Sequence, residues 1–485
     1  MGQSKKVALI GLHGLNLDLV FQWKSELHNL NSAMNHGIFG KVKSTIPPTT
    51  PLAWSCILCG KNPGHFGFWD YTYRNDYQYG QPMKVSSIVR DERVQCLYNI
   101  LPAHGKKMAM INVPVTYPPP KISNGYCISS SSASDIEKQY TAPDSLIKEI
   151  KKITGKYITD VSTSTMDLQQ VEKEKAIKKI YKMDKQRFDL TKFFLKDKNC
   201  DLVFTVITGT GRISHLVYRY IDTNHTHKDA VKNHYKLCDE NIGEILSLVD
   251  KNTSIIITGD YGIQRSDGRI NVNEWLIHKG YMTLKTRSTQ SIPLLQADID
   301  WNRTMAWATG CFGQVYLNVK GREPQGIVDP YDYDKVLDEL GDKIKRITSE
   351  DGRKLDIKVY KRKESHPGEY SRFGPDLFIC FENYHWNTND HIGSNSIYSN
   401  ETPESPVDVS HAPYSFFAIT GPGVPTTGEV SNAELLDLAP TLLHLLGVPI
   451  PSEMEGKVLI KEENVHLEKE KREVRERLAR LGYLG

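Results

Sequence analysis

The chain has 485 residues, too many for one simple core, so a large domain with insertions or a second lobe is expected. Hydrophobic residues make up 39% and charged residues 25%, an ordinary balance for a globular enzyme. A formal net charge of +3 gives no electrostatic basis for holding a nucleic-acid polymer or a membrane surface.

In chain order, residues 7–12 read as a buried strand, and this run is too short for a signal-peptide core or a membrane span. Lys6 stands where a myristoylation start needs Ser or Thr. No later apolar run reaches spanning length. The prolines at 47 and 48 keep residues 44–49 extended. Thr50 then reads as an N-cap and Pro51 as the first helical residue, with Gly60 as the stop. A hydroxyl at a helix N-terminus faces free N–H groups and the positive end of the dipole, which favours a phosphoryl group beside it. The eight cysteines are scattered, so reduced thiols are expected, with Cys56 and Cys59 in the core and the protein in the cytoplasm.

Residues 107–112, 201–207 and 254–258 read as further strands, alternating with helical patterns at 142–154 and 230–249. The alternation predicts an α/β fold: a central, mostly parallel sheet flanked by helices. We expect its first part over 1–285, with a helical excursion at about 155–195. Residues 286–405, rich in aromatics such as Trp301, Trp307, Tyr316 and Trp386, read as an inserted α+β lobe. Residues 406–485 return to the core and end in a charged amphipathic helix over 462–484.

In parallel sheets, functional groups gather where strands end. Here those positions hold His13 after 7–12, Gly211, Arg212 and His215 after 201–207, and Asp260 and Tyr261 after 254–258. His411 precedes a strand at 415–420. Imidazole and carboxylate converging from neighbouring strands can bind zinc or a similar ion. Such an ion beside Thr50 would turn its hydroxyl into a nucleophile.

These residues sit in a chain that, from 6 to 485, resembles the type I phosphodiesterase/nucleotide pyrophosphatase branch of the alkaline phosphatase superfamily. The resemblance rests on Ser44-Thr45-Ile46-Pro47-Pro48-Thr49-Thr50-Pro51 with Trp54, on Gly60-Lys61-Asn62-Pro63-Gly64, and on blocks at 273–276, 320–328, 437–443 and 477–484. It implies an alkaline-phosphatase-like fold, a Thr nucleophile and two metal ions, usually zinc, about 4 Å apart. Carried over by position, one ion falls to Gly211, His215 and His411, and the other to His13, Thr50, Asp260 and Tyr261. Gly211 brings no ligand, Tyr261 is a poor one at neutral pH, and only one carboxylate of three survives. Two dications without those anions repel each other, so at most one divalent metal is expected, on His215, His411, His13 and Asp260.

Three functions follow. One is a phosphohydrolase in which Thr50 attacks, Asp260 orients it, and Tyr261 or Arg212 offsets developing charge. Another is an inactive member that binds or scaffolds. The third is a metal-independent reaction with His13 and Tyr261 as acid and base. The expected substrate is a small phosphate ester with a nucleotide, lipid or sugar headgroup. Trp69 and Tyr71, in a stretch where several relatives place a phosphoryl-binding Asn, are candidates to stack on a base or sugar, with an aromatic core as the alternative. A homo-oligomer is compatible with the sequence.

Overall fold

The computed structural model describes residues 6–80, 82–85, 94–130, 139–161, 170–399, 401–402, 405–406, 409–425 and 428–460. The predicted tail helix at 462–484 and the sequence block at 477–484 lie outside them. Five parallel strands form the middle of the main sheet, in the order Thr253–Thr258, Lys6–Leu12, Leu202–Ile207, Met108–Ile111 and Gly125–Ile128. Tyr414–Thr420 joins the edge of this group antiparallel to Thr253–Thr258, and Gly37–Lys43 pairs antiparallel beyond it.

Lys6–Leu12, Leu202–Ile207 and Thr253–Thr258 are buried over almost their whole length, which is why their sequences read as continuous apolar runs rather than alternating ones. Two apolar cores result, one on each face of the sheet. Thr50–Cys59 and Leu438–Leu446 pack on one face, while Gln170–Lys196 and Ala230–Leu248 cover the other. A second sheet of seven strands, drawn from residues 268–399, has its own core around Trp275, Trp307 and Tyr316. That core includes Ile270 and Val272, upstream of residue 286.

Two local expectations are corrected. Thr49, not Thr50, is the N-cap: its backbone is extended (φ −121°, ψ 148°), and its carbonyl accepts the first helical bond, from Ala53 N at 2.9 Å. Thr50 is the first helical residue, Pro51 the second, and Gly60 closes the helix in the left-handed region. Cys59 and Cys96 are joined in a disulfide, so not all the thiols are free. The packing of Thr50–Cys59 against Leu97–Ala103 brings together two cysteines 37 residues apart, which spacing alone does not reveal. The thiol argument for a cytoplasmic setting loses support accordingly. Among the described residues no helix is long and apolar enough to cross a membrane.

Candidate active site

The helix Thr50–Cys59 is set down close to the sheet because Gly11 has no side chain. A Cβ there would lie 2.3 Å from the ring of Trp54, which is fully buried. This close approach brings the start of the helix over the ends of the central strands, beside His13, Asp260 and Tyr261.

There the side chains form one connected run. Asp260 is fully buried, and its Oδ1 accepts N–H bonds from Gly14 (2.9 Å) and Tyr261 (3.0 Å). Its Oδ2 lies 2.8 Å from His13 Nδ1. His13 Nε2 lies 3.3 Å from the Tyr261 hydroxyl, which in turn is 2.9 Å from Thr50 Oγ1. The Tyr71 hydroxyl donates to Thr50 Oγ1 from the other side at 2.8 Å. Burial pushes the Tyr261 hydroxyl well above its ordinary pKa and the Tyr71 hydroxyl to about 12, so both stay protonated near neutrality.

The other candidate ligands sit apart from this run. His411 Nδ1 bonds the Pro48 carbonyl at 2.7 Å, and the ring packs against Tyr261 (centroids 3.9 Å apart, 18° between planes) and Phe312 (5.1 Å). His215 opens into the cleft, 5.8 Å from His411 between ring centroids. Desolvation by the surrounding protein, with Arg212 adding to it, lowers the His215 pKa. Desolvation lowers that of His411 to about 3, so neutral imidazole prevails. Arg212 is held by Asp160, a partner the sequence did not suggest, at 2.7 Å.

Position 211 contributes no side chain between these two halves. A Cβ on Gly211 would lie 2.7 Å from His13 Cδ2, so the His13 ring occupies the space a side chain there would need. Both oxygens of Asp260 are engaged in hydrogen bonds. Among the described residues no group of three or more His, Cys, Asp or Glu is placed to hold a metal ion. This donor set does not fit a two-ion centre.

Of the substrate-contact candidates, Tyr71 is 53% exposed, touches Thr50 and lines a cavity of about 390 Å³. Trp69 is corrected: it is 1% exposed and packs on His366 and Phe378, giving no surface to the cleft. The reason is the turn at this point of the chain, which sends Trp69 inward and its neighbours Asp70 and Tyr71 to the cavity. Sequence reading passed over Asp70, because a lone carboxylate between two aromatics carries no motif.

A profile of the type I phosphodiesterase/nucleotide pyrophosphatase family matches residues 7–405. The chain belongs to that family. Members of the family are generally zinc-dependent phosphohydrolases. Among solved structures, phosphonoacetate hydrolase from Sinorhizobium meliloti in complex with phosphonoacetate is 14% identical, with a TM-score of 0.59 over 92% of this chain and 96% of that one. Wild-type alkaline phosphatase PafA is 12% identical, with a TM-score of 0.55 over 95% and 99%. Murine ectonucleotide pyrophosphatase/phosphodiesterase 5 in complex with AMP is 13% identical, with a TM-score of 0.50 over 95% and 98%. These likenesses establish an alkaline-phosphatase-like fold for this family member. No curated protein sequence matches the chain.

Proposed function

We propose that the chain hydrolyses small phosphate esters by attack of Thr50 on phosphorus, with Asp260, His13 and Tyr261 taking the hydroxyl proton in place of a metal ion. The observation that carries this reading is that the hydrogen bonds around Thr50 allow one consistent direction. Tyr71 donates to Thr50, Thr50 to Tyr261, Tyr261 to His13 Nε2, and His13 Nδ1–H to Asp260 Oδ2. Each acceptor is free to receive the proton its neighbour gives up.

On attack, the Thr50 proton passes to the Tyr261 oxygen while the Tyr261 proton passes to His13 Nε2. The buried hydroxyl of Tyr261 is a poor acid, so the two transfers occur together and no free phenolate forms. The resulting imidazolium faces the Asp260 carboxylate, which two backbone N–H groups hold in place. Tyr71 donates to the attacking oxygen and fixes its direction. Hydrolysis of the phosphothreonine returns the proton to Thr50 by the same route. His215, Arg212 and the start of the nucleophile helix border the place where the phosphoryl oxygens sit. Membership of a phosphohydrolase family, and the phosphoryl and phosphonyl ligands of the similar structures, support a small ester of this kind as substrate.

The test is turnover of aryl phosphate monoesters and diesters by protein stripped with chelator and checked by elemental analysis, with mass spectrometry of quenched enzyme for phosphate on Thr50. Turnover should survive stripping and phosphothreonine should appear. Loss of activity that zinc restores would remove the metal-free relay, and turnover by Thr50→Ala would remove the nucleophile.

A further inference from the structure

A metal-free attack leaves one requirement unmet. As the phosphorus–oxygen bond to the alcohol breaks, its electron pair goes to the departing oxygen, and an alkoxide is a poor leaving group without a proton or a cation. The cleft contains one carboxyl group outside the relay that adjoins Thr50 through its neighbour. Asp70 precedes Tyr71, and its Oδ1 accepts the Tyr71 N–H at 2.9 Å while the Tyr71 hydroxyl reaches Thr50. The Oδ2 atom takes no bond from a protein group among the described residues. It stands 3.4 Å from where a Cβ on Gly310 would be, so the absence of a side chain at 310 leaves this oxygen uncovered.

Asp70 also opens a cavity of about 390 Å³, a size suited to a small ligand. One wall is aliphatic, with Leu294, Leu295 and Ile299. The lining also includes the aromatic rings of Trp301, Trp307 and Tyr316, and Arg74 lies 5.0 Å above the ring of Tyr316. Such a cavity accepts an organic group with an apolar body and polar substituents, while the phosphoryl group stays at Thr50.

We propose that Asp70 is the general acid of the reaction and that the cavity it lines holds the alcohol portion of the ester. This rests on Thr50 being the nucleophile. In the first step the Thr50 oxygen–phosphorus bond forms, the ester bond breaks, and the departing oxygen takes the Asp70 proton. In the second step the Asp70 carboxylate takes a proton from the attacking water, and the phosphorus–Thr50 bond breaks. Atoms and charges balance over the cycle, and Asp70 ends as it began. Burial raises the Asp70 carboxyl to about 6, so protonated acid is at hand near neutrality.

The test compares two methyl phosphate diesters in wild type and Asp70→Asn. One has a 4-nitrophenyl leaving group, which departs without a proton, and the other benzyl alcohol, which does not. Asparagine keeps the acceptor for the Tyr71 N–H. The variant should lose about 100-fold or more in kcat/KM, which reports only the first step, on the benzyl ester and less than about threefold in kcat/KM on the 4-nitrophenyl ester. Equal losses on both would make Asp70 a positioning residue, and no loss on either would give it no part; both results overturn the assignment. Leu295→Trp, which narrows the cavity, should raise KM for the benzyl ester without changing inhibition by inorganic phosphate. An unchanged KM would place the alcohol elsewhere. Turnover by Thr50→Ala would instead remove the underlying reading, whatever Asp70→Asn does.

Discussion

The two sides of the cleft floor are built from the same strand ends but differ in how their groups are joined. On one side Asp260, His13, Tyr261 and Thr50 touch in sequence, each within 3.3 Å of the next. On the other, His215 and His411 face each other at 5.8 Å with a glycine where a third ligand would stand. Carboxylates decide the difference. A lone buried anion finds its best partner in a donor that can share a proton with it, and only a cluster of anions offsets the repulsion between two dications. Once position 211 carries no side chain, Asp260 pairs with His13 and the neutral imidazoles opposite are left without a charge to share.

The contrast can be broken at several points. Thr50→Ala should lower kcat by about a thousandfold or more, because no other group takes over a nucleophile's role. Asp260→Asn and His13→Ala should each cost about 100-fold to 10,000-fold in kcat with KM little changed, as for other general bases. If His215→Ala abolishes turnover while Asp260→Asn leaves it intact, the chemistry belongs to the opposite side. The combined variant His13→Asp/Gly211→Asp/Tyr261→His should gain zinc by elemental analysis where wild type holds less. Equal zinc in both would mean the three replacements are not what separates the two sides.

Smaller effects concern packing and pH. Gly211→Asp alone should destabilise the fold by about 1–3 kcal/mol through overpacking, and adding His13→Asp should recover much of it. Denaturant unfolding of the four proteins in that cycle measures the coupling, and strict additivity would deny that the two positions share space. The Asp70 carboxyl is raised from 3.8 to about 6 in the folded state, so the folded form binds more protons than the unfolded form between those values. Its contribution is therefore fully present below about 3.8 and is lost as pH rises through about 6. Asp70→Asn should gain Tm relative to wild type at pH 7.5 but not at pH 3.5, and a pH-independent difference would contradict the burial of this carboxyl.

How far the sequence could be read depends on what each feature rests on. The strands expected at 7–12, 107–112, 201–207 and 254–258 emerge as Lys6–Leu12, Met108–Ile111, Leu202–Ile207 and Thr253–Thr258. Burial on both faces writes itself into composition. The helix after the prolines was equally visible, and its cap was misplaced by one residue because two threonines in a row satisfy the same signal. Contacts were not legible. His13 and Asp260 are 247 residues apart, Cys59 and Cys96 are joined through the packing of two helices, and Trp69 turns inward while Tyr71 turns out. Residue types at strand ends locate a site, but the partner of each group depends on which oxygen or nitrogen is already taken.

The fit between His13 and Gly211 also constrains the order in which this site can have arisen. If a chain with aspartate at both positions acquired His13 first, the ring would meet the Cβ at 211 at 2.7 Å while Asp260 and Tyr261 hold it in place, an overpacking that costs stability. Loss of the side chain at 211 before the imidazole enters avoids that cost. The return path carries the same cost, since aspartate at 211 crowds the ring until His13 is replaced. The relay therefore behaves as a ratchet: each single step back towards a metal ligand set passes through a protein that is either overpacked or short of its base.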